Sequence, residues 1–155
     1  MPPPKIGTRV KDFTLSASGG GTWGLKNAAG RKLVLYFYPK DMTSGCTRES
    51  QDFRDLHAAF RKAGTMVVGV SRDSVRSHDR FTDKEKLPFP LLADEEEKLC
   101  KAFDVIHEKS LYGRKYLGIE RSTFLLDGAG VLRHEWRKVK VPGHAEEVLE
   151  AAKSL

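Results

Sequence analysis

KLVLYFY, residues 32–38, constrains the fold more than any other stretch: after its leading lysine it is unbroken in apolar and aromatic character, and Pro39 ends it. A strand with one face in water alternates apolar and polar residues. A short run without that alternation is a strand buried on both faces. Proline cannot donate to a sheet ladder, so the strand stops there. TMVVGVS (65–71) is a second run of the same kind. Between the two the period changes: Phe53, Leu56, His57 and Phe60 fall at i, i+3, i+4 and i+7, one face of a helix, while Asp52, Arg54, Asp55 and Arg61 fall elsewhere on the wheel. This helix is predicted to start near Thr43 or Ser44 and to stop before Gly64. His57, on its apolar face, reads as a partly buried packing residue.

The rest of the chain continues the alternation. Residues 1–12, with Pro2, Pro3 and Pro4, form an extended lead-in. FTLSASGGGTWGL (13–25) reads as two short strands around Gly19–Gly20–Gly21, an N-terminal β-hairpin. A charged helix is predicted over 74–86, a strand over 89–94 and a helix over 95–103, with 104–120 irregular. STFLLD (122–127) and VLRHEW (131–136) flank Gly128–Ala129–Gly130 as a hairpin, and a last helix over 143–154 carries Ala145, Val148, Leu149 and Ala152 on one face. The order β-β-β-α-β-α-β-α-β-β-α implies an α/β fold, a mixed central sheet with helices on both faces. No linker or internal repeat divides it, so residues 1–155 read as a single domain.

Composition excludes several classes. With 39% hydrophobic and 31% charged residues the chain is globular, and no apolar run approaches the ~20 residues of a membrane helix. The start MPPPKIGTRV lacks the apolar segment of a secretory signal, so a cytoplasmic protein is expected. A formal charge of +6 permits attraction to acidic partners but does not argue for a dedicated nucleic-acid binder. The five histidines show no paired ligand spacing, and the two cysteines lie far apart, so no metal site and no cofactor are expected. The three glycines at 19–21 do not open a helix with Lys–Ser/Thr, so they make a turn and not a phosphate loop. WRKVKV (136–141) reads as a solvated strand end.

Cys46 is the residue that asks for chemistry. With Thr43 as N-cap it is the third residue of the helix, where free backbone N–H groups and the positive end of the helix dipole favour an anion. A thiolate is the reactive form of cysteine. Enzymatic accelerations begin near ~10⁶, so an activated thiolate also needs groups that bind the transition state.

Pro39, Thr43 and Cys46 spell P-x-x-x-T-x-x-C within FYPKDMTSGCTRES. This motif resembles the active site of the peroxiredoxins, and the wider stretch is similar to their bacterioferritin-comigratory protein, or PrxQ, subfamily. The likeness continues through SRDSVRSHDRF (71–81), FPLLAD, KAFDV (101–105), GIERSTFLLD (118–127) and WRKVKVPGHAEEVL (136–149). The resemblance implies a thioredoxin-like fold and a thiol-dependent peroxidase acting on hydrogen peroxide and organic hydroperoxides. By position it implies that Cys46 is the peroxidatic cysteine, that Thr43 hydrogen-bonds to the peroxide, that Arg121 holds thiolate and peroxide, and that Pro39 shields the sulfur from water. Glu49, three residues after Cys46, is a candidate to orient Arg121.

In such a reaction the attacking sulfur becomes a sulfenic acid, Cys46–SOH, which a thiol must then reduce. Many relatives carry a resolving cysteine five positions after the peroxidatic one, or after S-H-x-x-F in the next helix; here those positions are Gln51 and Thr82. Cys100, in EEEKLCKAF, reads as a buried inert thiol or, alternatively, as a resolving cysteine. The favoured expectation is a one-cysteine mechanism with an external thiol (thioredoxin, glutaredoxin or glutathione) as reductant, in a protein that is a monomer. Rivals are a disulfide reductase, which T-S-G-C-T without a C-x-x-C pair disfavours, a redox sensor, and a binding protein for nucleic acid or unfolded chains.

Overall fold

The computed structural model describes residues 3–155; Met1 and Pro2, the start of the expected lead-in, lie outside the described residues. In chain order the elements are β1 (Thr14–Ala17), β2 (Thr22–Gly24), β3 (Lys32–Phe37), α1 (Ser44–Asp55), α2 (His57–Lys62), β4 (Thr65–Ser71), α3 (Val75–Glu85), β5 (Leu91–Ala93), α4 (Lys98–Ala102), β6 (Ile106–Leu111), β7 (Arg114–Ile119), β8 (Ser122–Leu126), β9 (Leu132–Trp136) and α5 (His144–Lys153). Seven strands form one mixed sheet in the order β2-β1-β5-β4-β3-β8-β9. β3 pairs in parallel with β4 and antiparallel with β8.

β3 is the central strand that its run of apolar residues implies. Leu33, Leu35 and Phe37 point into one core with Val68, Val70, Phe103 and Phe124. Val34, Tyr36 and Tyr38 point into the other with Phe53, Phe60, Phe81 and Val148. The second core is roofed by α1, α2, α3 and α5; the first is covered by α4, through Leu99 and Cys100. Gly69 on β4 makes room for Tyr36: a Cβ there would stand 2.7 Å from Leu91 Cδ2 and 2.8 Å from the Tyr36 ring. The freed ring stacks on Phe53 at 4.7 Å, and its hydroxyl meets Ser50 Oγ at 2.9 Å.

Five expectations change. The helix predicted to run unbroken to Gly64 is interrupted at Leu56 (φ −97°, ψ 3°), although Phe53 before the break and Phe60 after it stay buried in the same core. The helix expected over 95–103 begins only at Lys98, because the buried Asp94 carboxylate accepts the Leu99 and Cys100 N–H groups at 3.2 and 2.7 Å and sets its start. Residues 104–120 are not irregular: β6 and β7 form a separate antiparallel hairpin whose turn, Tyr112–Gly113, has φ of 51° and 78°, the double positive φ of a tight hairpin turn. The lead-in also pairs. Arg9 bridges Val131, and Gly7 N–H donates to Leu132 O at 2.7 Å. Arg137, in the stretch read as a solvated strand end, lies over the Phe124 ring at 5.3 Å and donates to the Phe103 and Asp104 carbonyls.

Candidate active site

Pro39 leads out of β3 into a loop that ends at Thr43, the extended N-cap of α1 (φ −89°, ψ 154°). Met42, just before it, has φ of 63°, a left-handed conformation that turns the chain into the helix. Cys46 is the third helical residue, as its spacing implies. Although its sequence neighbours Thr43, Ser44, Thr47 and Arg48 are polar, it is only 1% exposed and belongs to the core that holds Tyr36, Tyr38 and Phe53.

Thr43 does not cap the helix with its side chain. Its hydroxyl instead donates to Lys40 O at 2.8 Å. This hydroxyl's hydrogen is thus committed to the loop, its oxygen lone pairs remain available, and the first-turn N–H groups of α1 carry no side-chain cap.

Arg121 lies in the link between β7 and β8, and its guanidinium reaches both partners that the sequence suggests. Nη1 donates to Glu49 Oε1 at 2.6 Å, and Nη2 donates to Cys46 Sγ at 3.3 Å. Gly45 permits that reach, since a Cβ there would stand 3.2 Å from Nη2. Burial pushes the Glu49 carboxyl up to about 7, against the pull of Arg121. Its second oxygen, Oε2, is buried without a partner among the described residues. Burial works against the Arg121 charge too, but Glu49 and Cys46 outweigh it and raise its pKa. A planar, permanently charged donor is therefore fixed between a carboxyl and the sulfur, an arrangement suited to follow negative charge as it leaves sulfur.

Lys109 on β6 is a site neighbour that the sequence reading missed. Burial first, and then the Arg121 charge, lower its pKa, while Cys46 raises it. Its strand was not foreseen, so nothing in the sequence placed it here.

Cys100 is not brought to this site. It is buried on α4 in the core on the opposite face of the sheet, with Leu35, Phe37 and Phe103. Burial and the Asp94 carboxylate push its thiol far up. Gln51 faces α3 and donates to Glu85 Oε1 at 2.7 Å, and Thr82 Oγ1 on α3 is buried without a partner among the described residues. His57 is part-buried beside the Phe89 ring, at 5.9 Å between centroids.

A cysteine at a helix start, with a guanidinium on its sulfur, can be compared with known proteins. Residues 6–135 match the AhpC/TSA family. The chain belongs to the peroxiredoxins. It is 57% identical over 143 residues to peroxiredoxin Bcp of Xanthomonas campestris, covering 92% of this chain and 89% of that one. To peroxiredoxin Bcp of Bacillus subtilis it is 49% identical over 151 residues, covering 97% and 96%. A solved structure of the Xanthomonas campestris bacterioferritin comigratory protein, described in terms of alkyl peroxide reduction, superposes with a TM-score of 0.87 at 56% identity, covering 92% of this chain and 90% of that one. The fold is thioredoxin-like, and the peroxiredoxin is a peroxidase that uses peroxide substrates and a thiol reductant. No helix among the described residues is long and apolar enough to cross a membrane.

Proposed function

We propose that this peroxiredoxin reduces hydrogen peroxide and organic hydroperoxides through Cys46, and that an external thiol, not Cys100, completes the cycle. The observation that carries the first half is the Arg121 bridge, 3.3 Å to Cys46 Sγ and 2.6 Å to Glu49 Oε1. The alkyl peroxide reduction named for the Xanthomonas campestris relative supports the inclusion of organic hydroperoxides.

In this reading the Cys46 thiolate attacks one peroxide oxygen in line. The S–O bond forms as the O–O bond breaks, sulfur is oxidised to the sulfenic acid, and the leaving alkoxide or hydroxide takes a proton from water. Arg121 and the uncapped N–H groups of α1 stabilise the moving charge. Thr43 Oγ1, its hydrogen given to Lys40 O, accepts a hydrogen bond from the O–H of the hydroperoxide. Pro39 screens the sulfur from water, and Glu49 holds the guanidinium in plane.

The regenerating half has this balance: an external thiol attacks Cys46–SOH, a mixed disulfide forms and water leaves. A second thiol then releases Cys46 and carries away the disulfide. Thioredoxin, glutaredoxin and glutathione all supply such thiols. The two-cysteine alternative needs Cα atoms within about 7 Å, whereas Cys46 and Cys100 belong to cores on opposite faces of the sheet. A thiol-driven cycle suits a reducing compartment, so a cytoplasmic antioxidant enzyme acting as a monomer, without a nucleic-acid partner, is the setting proposed.

The test is intact mass after one equivalent of peroxide, on the wild type and on Cys100→Ser. A gain of one oxygen in both, with turnover retained in Cys100→Ser when thiol is added, is the expected result. A loss of two hydrogens in the wild type alone would overturn the one-cysteine reading.

A further inference from the structure

Behind the active-site loop lies a buried polar cluster that the peroxide chemistry above does not use. Asp41 is 4% exposed and His78, on α3, is 0% exposed. His78 Nε2 faces Leu92 O at 2.8 Å. A carbonyl only accepts, so Nε2 carries a hydrogen. His78 Nδ1 meets Asp41 Oδ2 at 2.7 Å. That same oxygen accepts the Ser77 hydroxyl at 2.8 Å, and Asp41 Oδ1 accepts the Tyr38 hydroxyl at 2.5 Å. Asp73 completes the cluster: its Oδ2 accepts the Ser71 hydroxyl at 2.6 Å and the Asp41 backbone N–H at 2.9 Å.

Asp41, Asp73 and His78 offer ligand atoms within 4.8 Å of one another, a spacing that invites a cation. The donor set argues otherwise. Both ring nitrogens of His78 and both carboxylate oxygens of Asp41 are already taken up by protein groups in good geometry. A buried network this fully satisfied fixes positions.

What it fixes is one peptide group. The N–H that Asp73 accepts and the carbonyl that holds the Thr43 hydroxyl belong to the same peptide, Lys40–Asp41. Its plane is clamped on one edge by Asp73, and the side chain that follows it is locked to α3 by His78. Its other edge aims Thr43 Oγ1. Met42, between Asp41 and Thr43, has φ of 63°, a conformation costly for a residue with a Cβ and kept only where the surroundings impose it.

We propose that Asp41, Asp73 and His78 are positioning residues for the peroxide step, holding the Lys40–Asp41 peptide so that Thr43 Oγ1 presents its lone pairs to the substrate. This rests on the role given to Thr43 above. None of the three touches the reacting atoms.

The experiment is a double-mutant cycle. The single-turnover rate of Cys46 oxidation by hydrogen peroxide is measured for wild type, His78→Gln, Thr43→Val and the double variant. The rate of Cys46 alkylation by iodoacetamide, which has no use for Thr43, is measured alongside. Gln keeps a donor for Leu92 O and loses the ring nitrogen that meets Asp41. His78→Gln is expected to slow peroxide oxidation by about tenfold or more, the scale of a small misplacement. Alkylation should stay within about twofold of wild type, and in the Thr43→Val background the further loss should fall below about twofold. His78→Asn, whose amide can take the place of Nδ1, should recover much of the rate. Asp73→Ala, at a half-buried position, removes the clamp with less risk to folding and should reproduce the His78→Gln pattern.

A parallel fall in alkylation and oxidation, or a loss of equal size in the Thr43→Val background, would overturn the positioning role while leaving the Thr43 reading intact. An unchanged oxidation rate in Thr43→Val alone would instead remove the Thr43 reading, and this inference with it.

Discussion

Replacing Glu49 by glutamine tests whether the carboxyl behind Arg121 is part of the site's machinery. The side chain is 1% exposed, Oε1 lies 2.6 Å from Arg121 Nη1, and Oε2 has no partner. Burial raises its pKa from 4.5 to about 7. Between those values the folded protein holds a proton that the unfolded chain has lost. The stability this group contributes is therefore full below about pH 4.5 and is lost as pH rises through about 7. At 1.36 kcal/mol per pKa unit, the shift from 4.5 to about 7 removes about 3 kcal/mol across that window. Urea unfolding of wild type and Glu49→Gln from pH 4 to 8 reads this directly, and the variant should lack that fall.

Activity should change in the opposite sense. Ionised Glu49 holds Arg121 over the sulfur; the protonated form holds it less firmly. In the wild type the rate of Cys46 oxidation should gain as Glu49 ionises through about pH 7. Glu49→Gln should lose that limb and fall about 10- to 100-fold at pH 8, the scale of a misplaced charge donor. An unchanged rate at pH 8, or a stability slope that survives the substitution, would refute the reasoning.

Two close contacts and one unpartnered hydroxyl give three further predictions. Gly45→Ala places a Cβ 3.2 Å from Arg121 Nη2; peroxide reduction should fall about tenfold, while the melting temperature holds because alanine favours the helix. Gly69→Ala drives a Cβ to 2.7 Å from Leu91 and 2.8 Å from the Tyr36 ring, and should destabilise by about 1–3 kcal/mol in chemical denaturation. Thr82→Val removes a buried hydroxyl without a partner, and should stabilise by about 1 kcal/mol with unchanged peroxide kinetics.

The central sheet was legible because its signal is local. β3 and β4 are apolar runs too short for helices, and β4 falls at 65–71, the span its apolar run marks out. The helix after Pro39 was legible from its period, but the break at Leu56 was not, since Phe53 and Phe60 keep the same spacing whether or not one residue between them leaves the helix. The β6–β7 hairpin was invisible for the opposite reason. Most of its side chains are exposed or only part-buried, so no alternation marks it, and its turn is Tyr–Gly rather than one of the strong Asn–Gly or Asp–Gly signals. At the candidate site, Pro39, Thr43 and Cys46 were singled out by the P-x-x-x-T-x-x-C motif, and Arg121 by the family resemblance of GIERSTFLLD. Asp41 and His78 stand 37 positions apart and meet only because β4 and α3 fold back beside the loop. Ser71, Asp73, Ser77 and His78 all lie in SRDSVRSHDRF, a segment that resembles the family but whose chemistry no spacing rule exposes.

Burial of Cys46 gives the two halves of the cycle different physical demands. At 1% exposure its sulfur is open to a peroxide of a few atoms far more readily than to the thiol of a larger reductant. In the proposed one-cysteine cycle, reduction by an outside thiol therefore asks the first turn of α1 to open. That turn has no side-chain cap, and Gly45 within it disfavours helix by about 1 kcal/mol relative to alanine. One of its tethers is the hydrogen bond from Arg121 Nη2 to Cys46 Sγ. A thiolate is a strong acceptor for that bond, and a sulfenic sulfur a weak one, so oxidation itself loosens the turn that must open. The loop before the turn is not released in the same way, because its anchors to α3 through Asp41 and His78 involve no atom that changes oxidation state. On this account the site gives way first at Ser44–Cys46, and Thr43 stays in register for the next peroxide.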